Sequence, residues 1–415
     1  MNELDQRTAR RIIEQLGGSG QPPEFGVQYF SVGLDPYLDV IEDEYLANFI
    51  KSGGSAFKLV QGIYGGGKTH FLYCVRNAGW AQNFAVSYVS LKSGGECPFD
   101  KLDLVYKAIV NGLLPPITSP DINVNETKGI VNFLRHWYAQ RLEFHRAQVG
   151  QVSDAQEAIL EELKNLASTS VHSLSFRNAI YAALRAIIRD DEYQYDEICQ
   201  WLKGECPPTP SLKKLTITQK VDKTTAFSFI RSLGQIMRLL GYSGLVVLFD
   251  EAERVPSLSK GQREQLLSNL REFIDECGQS TFEGVMVFYA VPDRNFLEGR
   301  TQIYDALRQR LSTTFEYLNP SGVVIRLDEA IEDSMSFLRE VGAKIVPIYD
   351  GAFKQLLNPD QTSMLIDDLA QAAAKRRFGD AGYKRLFVQS LVRGLGTIHH
   401  ENRVPKAEDL MQGTP

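Results

Sequence analysis

Residues Gly62-Ile63-Tyr64-Gly65-Gly66-Gly67-Lys68-Thr69 fit the pattern G-x-x-x-x-G-K-[ST] at every fixed position. These residue types suit the cradling of phosphate. Glycines without a Cβ let successive backbone N–H groups curl around phosphate oxygens. A helix that starts where the loop ends turns its positive end toward the same anion. Lys68 has the reach for the β- and γ-phosphates of a nucleoside triphosphate, and Thr69 can offer its hydroxyl to Mg2+. The bland alternative is a flexible glycine loop that happens to contain Lys-Thr. The apolar run before it (Phe57, Leu59, Val60) and the helical run after it (His70 to Val75) favour the P-loop. Gly62, Gly65, Gly66, Gly67, Lys68 and Thr69 are therefore the nucleotide-binding candidates.

Further down the chain, Leu245-Val246-Val247-Leu248-Phe249 runs into Asp250-Glu251. Asp250 can hold Mg2+ through its water shell, and Glu251 can polarise the water that attacks a γ-phosphate. A switch that does not hydrolyse has no need of Glu251, so the pair favours turnover. The apolar run Val285 to Val291 is expected beside the phosphate-loop strand. Asp293, Arg294 or Asn295 can then sense the γ-phosphate, although turn chemistry around Pro292 explains them equally well. Asp293 is taken as the sensing candidate.

Arg308 and Arg310 stand just before the last apolar run. An arginine there can reach the γ-phosphate held by a neighbouring subunit. Two solvated surface arginines are the alternative. Lys375-Arg376-Arg377 and Lys384-Arg385 form a late basic cluster. Arg385 is the candidate to fold back over the nucleotide, and a DNA-phosphate patch is the rival use.

Alternating strands and helices must position these residues. Strands are expected at Phe57 to Gln61, Phe84 to Leu91, Leu245 to Glu251, Val285 to Val291 and Val323 to Leu327. With a P-loop they imply a parallel sheet with nucleotide at the strands' C-terminal ends. Ahead of them, a helix carries Ile12, Ile13 and Leu16, and a second spans Pro36 to Lys51. The turn Val32-Gly33-Leu34 between them is a candidate base pocket or plain packing. Residues 121–225 carry helical periodicity, including Phe133, Trp137, Phe176 and Tyr195, whose aromatics read as core. Ser153 with Gln156 reads as a capping box. Helices are also expected at Phe227 to Leu240, Ser268 to Cys277 and Tyr304 to Leu311. Later ones are expected at Ala330 to Val341, Met364 to Arg376 and Tyr383 to Ile398, with fraying after Asn402.

The chain of 415 residues has room for two or three domains and a sizeable core. Its net charge of −6 excludes a globally basic nucleic-acid binder, so any DNA contact must be local. No apolar run approaches the roughly 18 to 20 residues that span a membrane. The five cysteines are scattered and without C-x-x-C spacing, which argues against a disulfide framework or zinc site. Cys74 reads as a packed helix residue and His399-His400 as a polar surface pair. A reducing cytoplasm fits this composition.

Taken together, the P-loop, the Asp250-Glu251 strand, the arginines before strand five and the helical C-terminus resemble an AAA+ ATPase, with origin-recognition and initiator ATPases as cousins. More narrowly, the phrasings Tyr64-Gly65-Gly66-Gly67-Lys68-Thr69-His70-Phe71-Leu72 and Leu240-Gly241-Tyr242-Ser243-Gly244-Leu245-Val246-Val247-Leu248-Phe249-Asp250-Glu251-Ala252-Glu253 resemble the ATP-binding proteins of BREX bacteriophage-exclusion systems. The resemblance implies an α/β AAA+ P-loop NTPase: a five-stranded parallel sheet with a helical insertion and a C-terminal helical lid. Its parts would be an N-terminal helical segment (1–50), a core first half (51–120), the insertion (121–225), a core second half (226–327) and the lid (328–415). It implies ATP and Mg2+ as cofactors, a homo-oligomer, other defence-system subunits as partners, and antiviral work as motor or switch. Lys68 and Thr69 carry over as Walker A residues, Asp250 and Glu251 as Walker B residues. His70 belongs to the same phrase and joins the nucleotide-binding candidates. A nucleotide-gated module that recruits a nuclease or methyltransferase, and an initiator-like DNA loader, are the competing expectations.

Overall fold

A computed structural model describes residues 4–91, 99–117, 124–250, 259–292, 302–316, 318–328, 333–376 and 382–411. Its centre is a sheet of β1 (Ser55–Gln61), β2 (Ala85–Ser90), β3 (Leu113–Leu114), β4 (Leu245–Asp250), β5 (Val285–Val291) and β6 (Val324–Arg326). The strands lie in the order β3-β2-β4-β5-β1-β6. β1 pairs in parallel with β5, Phe57 opposite Val287, as its position beside the phosphate-loop strand requires. Every residue of β4 and β5 is buried, which is why both read as unbroken apolar runs rather than alternating ones.

All five expected strands are present, but the five-stranded parallel sheet needs correction. A sixth strand, β3, pairs antiparallel with β2 through Leu113 and Leu114. Two residues ahead of Pro115-Pro116 give no periodicity to read, and proline lacks the N–H that would prolong the ladder.

The sheet's two faces carry separate cores. On one, Phe57, Leu59, Val247 and Val287 pack in a single cluster with Phe133, Trp137, Phe176 and Trp201. The helices Gly129–Val149, Val152–Ser168, Leu174–Ile188 and Glu192–Leu202 thus share the sheet's own core. On the other face, Val60, Val246 and Leu248 pack with Phe71, Leu72 and Val75 of the Lys68–Ala81 helix. A third core joins the two ends of the chain. Ile12, Ile13 and Leu16 of the Gln6–Ser19 helix pack among Leu338, Ile345, Leu365 and Leu391, which come from three late helices.

Local corrections follow from capping and burial. Ser153 and Gln156 form no capping box. The Val152–Ser168 helix starts ahead of them, Ser153 Oγ donates to Asp154, and Gln156 Nε2 donates to the Tyr138 hydroxyl. The capping box lies instead at Ser259 and Gln262, where the Lys260–Gly278 helix begins. The stretch before β1 is an α-helix over Asp35–Val40 that continues as a π-helix over Ile41–Ile50. The expected helix ending at Val341 runs on through Pro347 to Phe353. The expected fraying after Asn402 is not what the described residues show as far as Met411. Ala407–Met411 is a docked turn of helix with Leu410 and Met411 buried, and Arg376 Nη1 donates to the Met411 carbonyl at 3.0 Å.

The buried Lys58 of β1 holds the approach to β6. Its Nζ donates to the Tyr45 hydroxyl (2.8 Å) and to the carbonyls of Pro320 (2.9 Å) and Gly322 (2.7 Å). Burial pulls its pKa down to about 7, while the rings of Tyr45 and Phe315 face the ammonium and favour its charge.

Candidate phosphate-binding cleft

The loop leaves the C-terminal end of β1 and turns into the Lys68–Ala81 helix. Gly65 (φ 71°) and Gly67 (φ 103°) occupy left-handed backbone that other residues rarely adopt. A Cβ on Gly66 would lie 2.8 Å from the Ile63 carbonyl, so the turn closes only on glycine. A Cβ on Gly67 would meet nothing within 4 Å. Lys68 Nζ is folded back on the loop itself, donating to the Gly62 (2.8 Å) and Ile63 (3.1 Å) carbonyls. The backbone N–H of Ile63 donates to Asp328 Oδ2 at 3.0 Å, which ties the loop to the residues following β6.

At the end of β4 the carboxylate of Asp250 is buried beside Thr69. Thr69 Oγ1 donates to Asp250 Oδ2 at 2.8 Å, and the Tyr88 hydroxyl donates to the same oxygen at 2.6 Å. Thr69's single proton is thus committed to Asp250, and its lone pairs are left for another partner. Two oxygens of this kind, one anionic, are the donor set a hard divalent cation prefers. Burial and the Asp250 charge push the Tyr88 pKa well above its ordinary value, so its hydroxyl keeps the proton that it donates to Asp250.

The opposite wall is helical. Phe30, Val32 and Leu34 face the cleft from the N-terminal segment, and Phe337, Leu338 and Val341 from the Ser334–Phe353 helix. The turn Val32-Gly33-Leu34 lines the same cleft as the glycine loop. Lys384 and Arg385 come from the Tyr383–Glu401 helix. Lys384 Nζ donates to the Gly66 carbonyl at 3.0 Å, and Arg385 Nη1 donates to the Tyr64 hydroxyl at 3.2 Å with its guanidinium over that ring.

His70 joins the two walls. Its Nε2 lies 2.6 Å from Ser31 Oγ, and its ring packs edge-on against Phe30. Ser31 Oγ donates to the Val27 carbonyl at 2.8 Å, so His70 must donate from Nε2. Burial, with the nearby Lys384 charge, takes its pKa down to about 4 and keeps the ring neutral. Lys344 Nζ donates to the Ser31 carbonyl at 2.6 Å. Cys74 is buried with its Sγ 3.2 Å from Ser31 Oγ.

The structure therefore brings together Gly62, Gly65, Gly66, Gly67, Lys68, Thr69, His70, Asp250 and Arg385. Arg310 lies elsewhere: its guanidinium is paired with Asp275 on the Lys260–Gly278 helix and donates to the Ala306 carbonyl. Arg308 is exposed. Glu251, Asp293, Arg294, Asn295 and Arg377 lie outside the described residues. Sequence reasoning named Lys384 in the late basic cluster but preferred its neighbour Arg385, and it missed Tyr88, Asp328 and Ser31. Lys384 had a signal, since it adjoins Arg385. The other three act through contacts across the fold that no local pattern carries.

A mostly parallel α/β sheet brings a glycine loop and a buried carboxylate together at the C-terminal edge of its strands, where open α/β sheets take their ligands. The chain belongs to the family described as BREX system ATP-binding protein BrxC/D, which matches residues 4–414. It is thus an ATP-binding protein of a BREX defence system, with the other subunits of that system as its implied company. No curated protein and no solved structure matches it. Among the described residues no helix is long and apolar enough to cross a membrane, and Cys74, Cys199, Cys206 and Cys277 are free thiols.

Proposed function

We propose that the chain binds ATP with Mg2+ in this cleft and hydrolyses it, as an AAA+ P-loop motor or switch in its defence complex. The observation that carries the reading is the Thr69–Asp250 hydrogen bond of 2.8 Å, which joins residues 181 apart in sequence at the mouth of a P-loop pattern. Lys68 would exchange the Gly62 and Ile63 carbonyls for the β- and γ-phosphates, and the loop's backbone N–H groups would hold the phosphate chain. Thr69 and Asp250 would hold the Mg2+, which supplies neutralisation of the charge that develops on the γ-phosphate. Glu251 takes the proton of the attacking water. Asp293 senses the γ-phosphate. The apolar wall of Phe30, Val32 and Leu34 accepts the base.

The remaining assignments extend this reading. Arg308 is the better candidate to reach a neighbour's nucleotide in a homo-oligomer, because Arg310 is held by Asp275. The contacts of Lys384 with Gly66 and of Arg385 with Tyr64 support reading 328–415 as a lid, and 121–225 as the insertion, in a cytoplasmic protein. A DNA-loading role is disfavoured by how the late basic residues are used: Arg376 is bonded to the Met411 carbonyl and Lys384 to the loop. A recruiting role has one supporting observation, the exposed Phe144, Val149 and Val152 where two insertion helices meet.

The test is ATP turnover by the purified protein with Mg2+, alone and with its partner subunits. Glu251→Gln should lower the rate by roughly 100-fold to 10,000-fold while ATP stays bound. Wild-type turnover in that variant removes Glu251 from the role. Absence of Mg2+-dependent turnover in every assembly leaves an ATP-gated recruiting module.

A further inference from the structure

The geometry points to Tyr88 as the positioning residue for the cation, through Asp250. This rests on the reading of Thr69 and Asp250 as the pair that holds Mg2+. Tyr88 lies on β2 opposite Leu248, and Ser90 lies opposite Asp250. Side chains two apart on a strand share a face, so Tyr88, Leu248 and Asp250 all turn toward the Lys68–Ala81 helix that carries Thr69. From there the phenol reaches along the strand, and its hydroxyl donates to Asp250 Oδ2 at 2.6 Å.

The hydrogen bond has a task that Thr69 cannot perform alone. The terminal torsion of an aspartate is broad and roughly two-fold. Each donor restrains that torsion, and the Tyr88 hydroxyl adds its restraint from the neighbouring strand. That in turn keeps Thr69's proton on Asp250 and its lone pairs turned to the cleft. Tyr88 is itself held. The ring of Tyr73, from the same helix as Thr69, lies 5.2 Å from it, and the buried Arg76 covers Tyr73 at 4.6 Å. Helix and strand are thus set before any cation arrives, as outer-shell groups around metal ligands are.

Tyr88→Phe removes only the hydroxyl and keeps the ring against Tyr73. The measurement is the affinity of the full chain for a fluorescent ADP analogue, with EDTA and with Mn2+, followed by the electron paramagnetic resonance of the bound Mn2+. Metal-free affinity should stay at the wild-type value. The gain in affinity on adding Mn2+ should fall by roughly 10-fold to 100-fold, the size of other outer-shell losses, and the spectrum of the bound ion should change. Thr69→Ala serves as the reference and should lose the gain. A wild-type gain in Tyr88→Phe with the gain lost in Thr69→Ala overturns the role of Tyr88 alone. A gain retained in Thr69→Ala overturns the cation pair itself, and Tyr88 with it. Equal losses with and without Mn2+, together with a lower melting temperature, make Tyr88 a structural residue and also overturn the proposal.

Discussion

The sheet wall and the helical wall face the same cleft but are assembled differently. The loop of the sheet wall is local. Gly62 to Thr69 is one continuous turn, and its partner Asp250 ends a strand two places away in the sheet order β2-β4-β5-β1. The helical wall is built from the two ends of the chain. Phe30 and Ser31 come from the N-terminal segment, Lys344 from one late helix and Lys384 from another. The first wall carries groups that suit phosphate and cation. The second carries mainly apolar area with the cations Lys344, Lys384 and Arg385, and it touches the loop through Lys384 at Gly66 and Arg385 at Tyr64. The difference teaches that the sheet wall sets the chemistry, whereas the helical wall is suited to report on it.

The strongest way to break this comparison is Lys68→Ala. Lys68 is buried and spends its charge on two loop carbonyls, so its removal leaves two acceptors that water can satisfy. The fold should survive, with a melting temperature close to wild type. ATP affinity should fall on the order of 100-fold, the worth of two charge-assisted hydrogen bonds. Isothermal titration checks this. Affinity within a few-fold of wild type would place the phosphates somewhere other than the glycine loop.

Lys384→Met probes the other wall with a smaller expected effect. Lys384 bonds the Gly66 carbonyl and lies 5.3 Å from the Phe337 ring. Methionine keeps most of the stem and removes the charge. ATP affinity should fall by about tenfold, with ADP affinity changed less if the ammonium turns to the γ-phosphate. Equal effects on ATP and ADP would confine Lys384 to holding the loop. An effect as large as that of Lys68→Ala would erase the distinction between the walls.

This division also explains what could be read from the chain alone. The loop, β4 and β5 were legible because each is contiguous and has one dominant physical demand: glycine at positive φ, or full burial on both faces. The helical content of 121–225 was legible from its period, and Phe133, Trp137, Phe176 and Tyr195 are core as expected, whereas Phe144 and Tyr193 are exposed. The pairing of the first helix with the last ones was not. Ile12 and Leu16 show an apolar face but carry no mark of what covers it, and the answer lies more than 300 residues away, at Ile345 and Leu391. Tyr88 read as an aromatic strand residue, since nothing local distinguishes a packed phenol from one whose hydroxyl is aimed at Asp250. Arg310 read as a candidate for a neighbouring subunit because its partner Asp275 sits on a different element.

The smallest expected effect tests the seam between the walls. Ser31 donates to Val27, accepts from His70 and offers its carbonyl to Lys344. Ser31→Ala keeps the carbonyl but leaves the His70 Nε2–H without its acceptor beside Phe30. An unsatisfied neutral donor in such a place costs about 1 to 2 kcal/mol, which denaturant unfolding can resolve. If the walls are coupled through this contact, ATP affinity should drop several-fold as well, because the helix that starts at Lys68 loses a fixed neighbour. Lower stability with wild-type affinity would show that the seam holds the fold together without setting the loop. Wild-type values for both would mean that His70 finds another acceptor, and the coupling would then have to run through Lys384 alone.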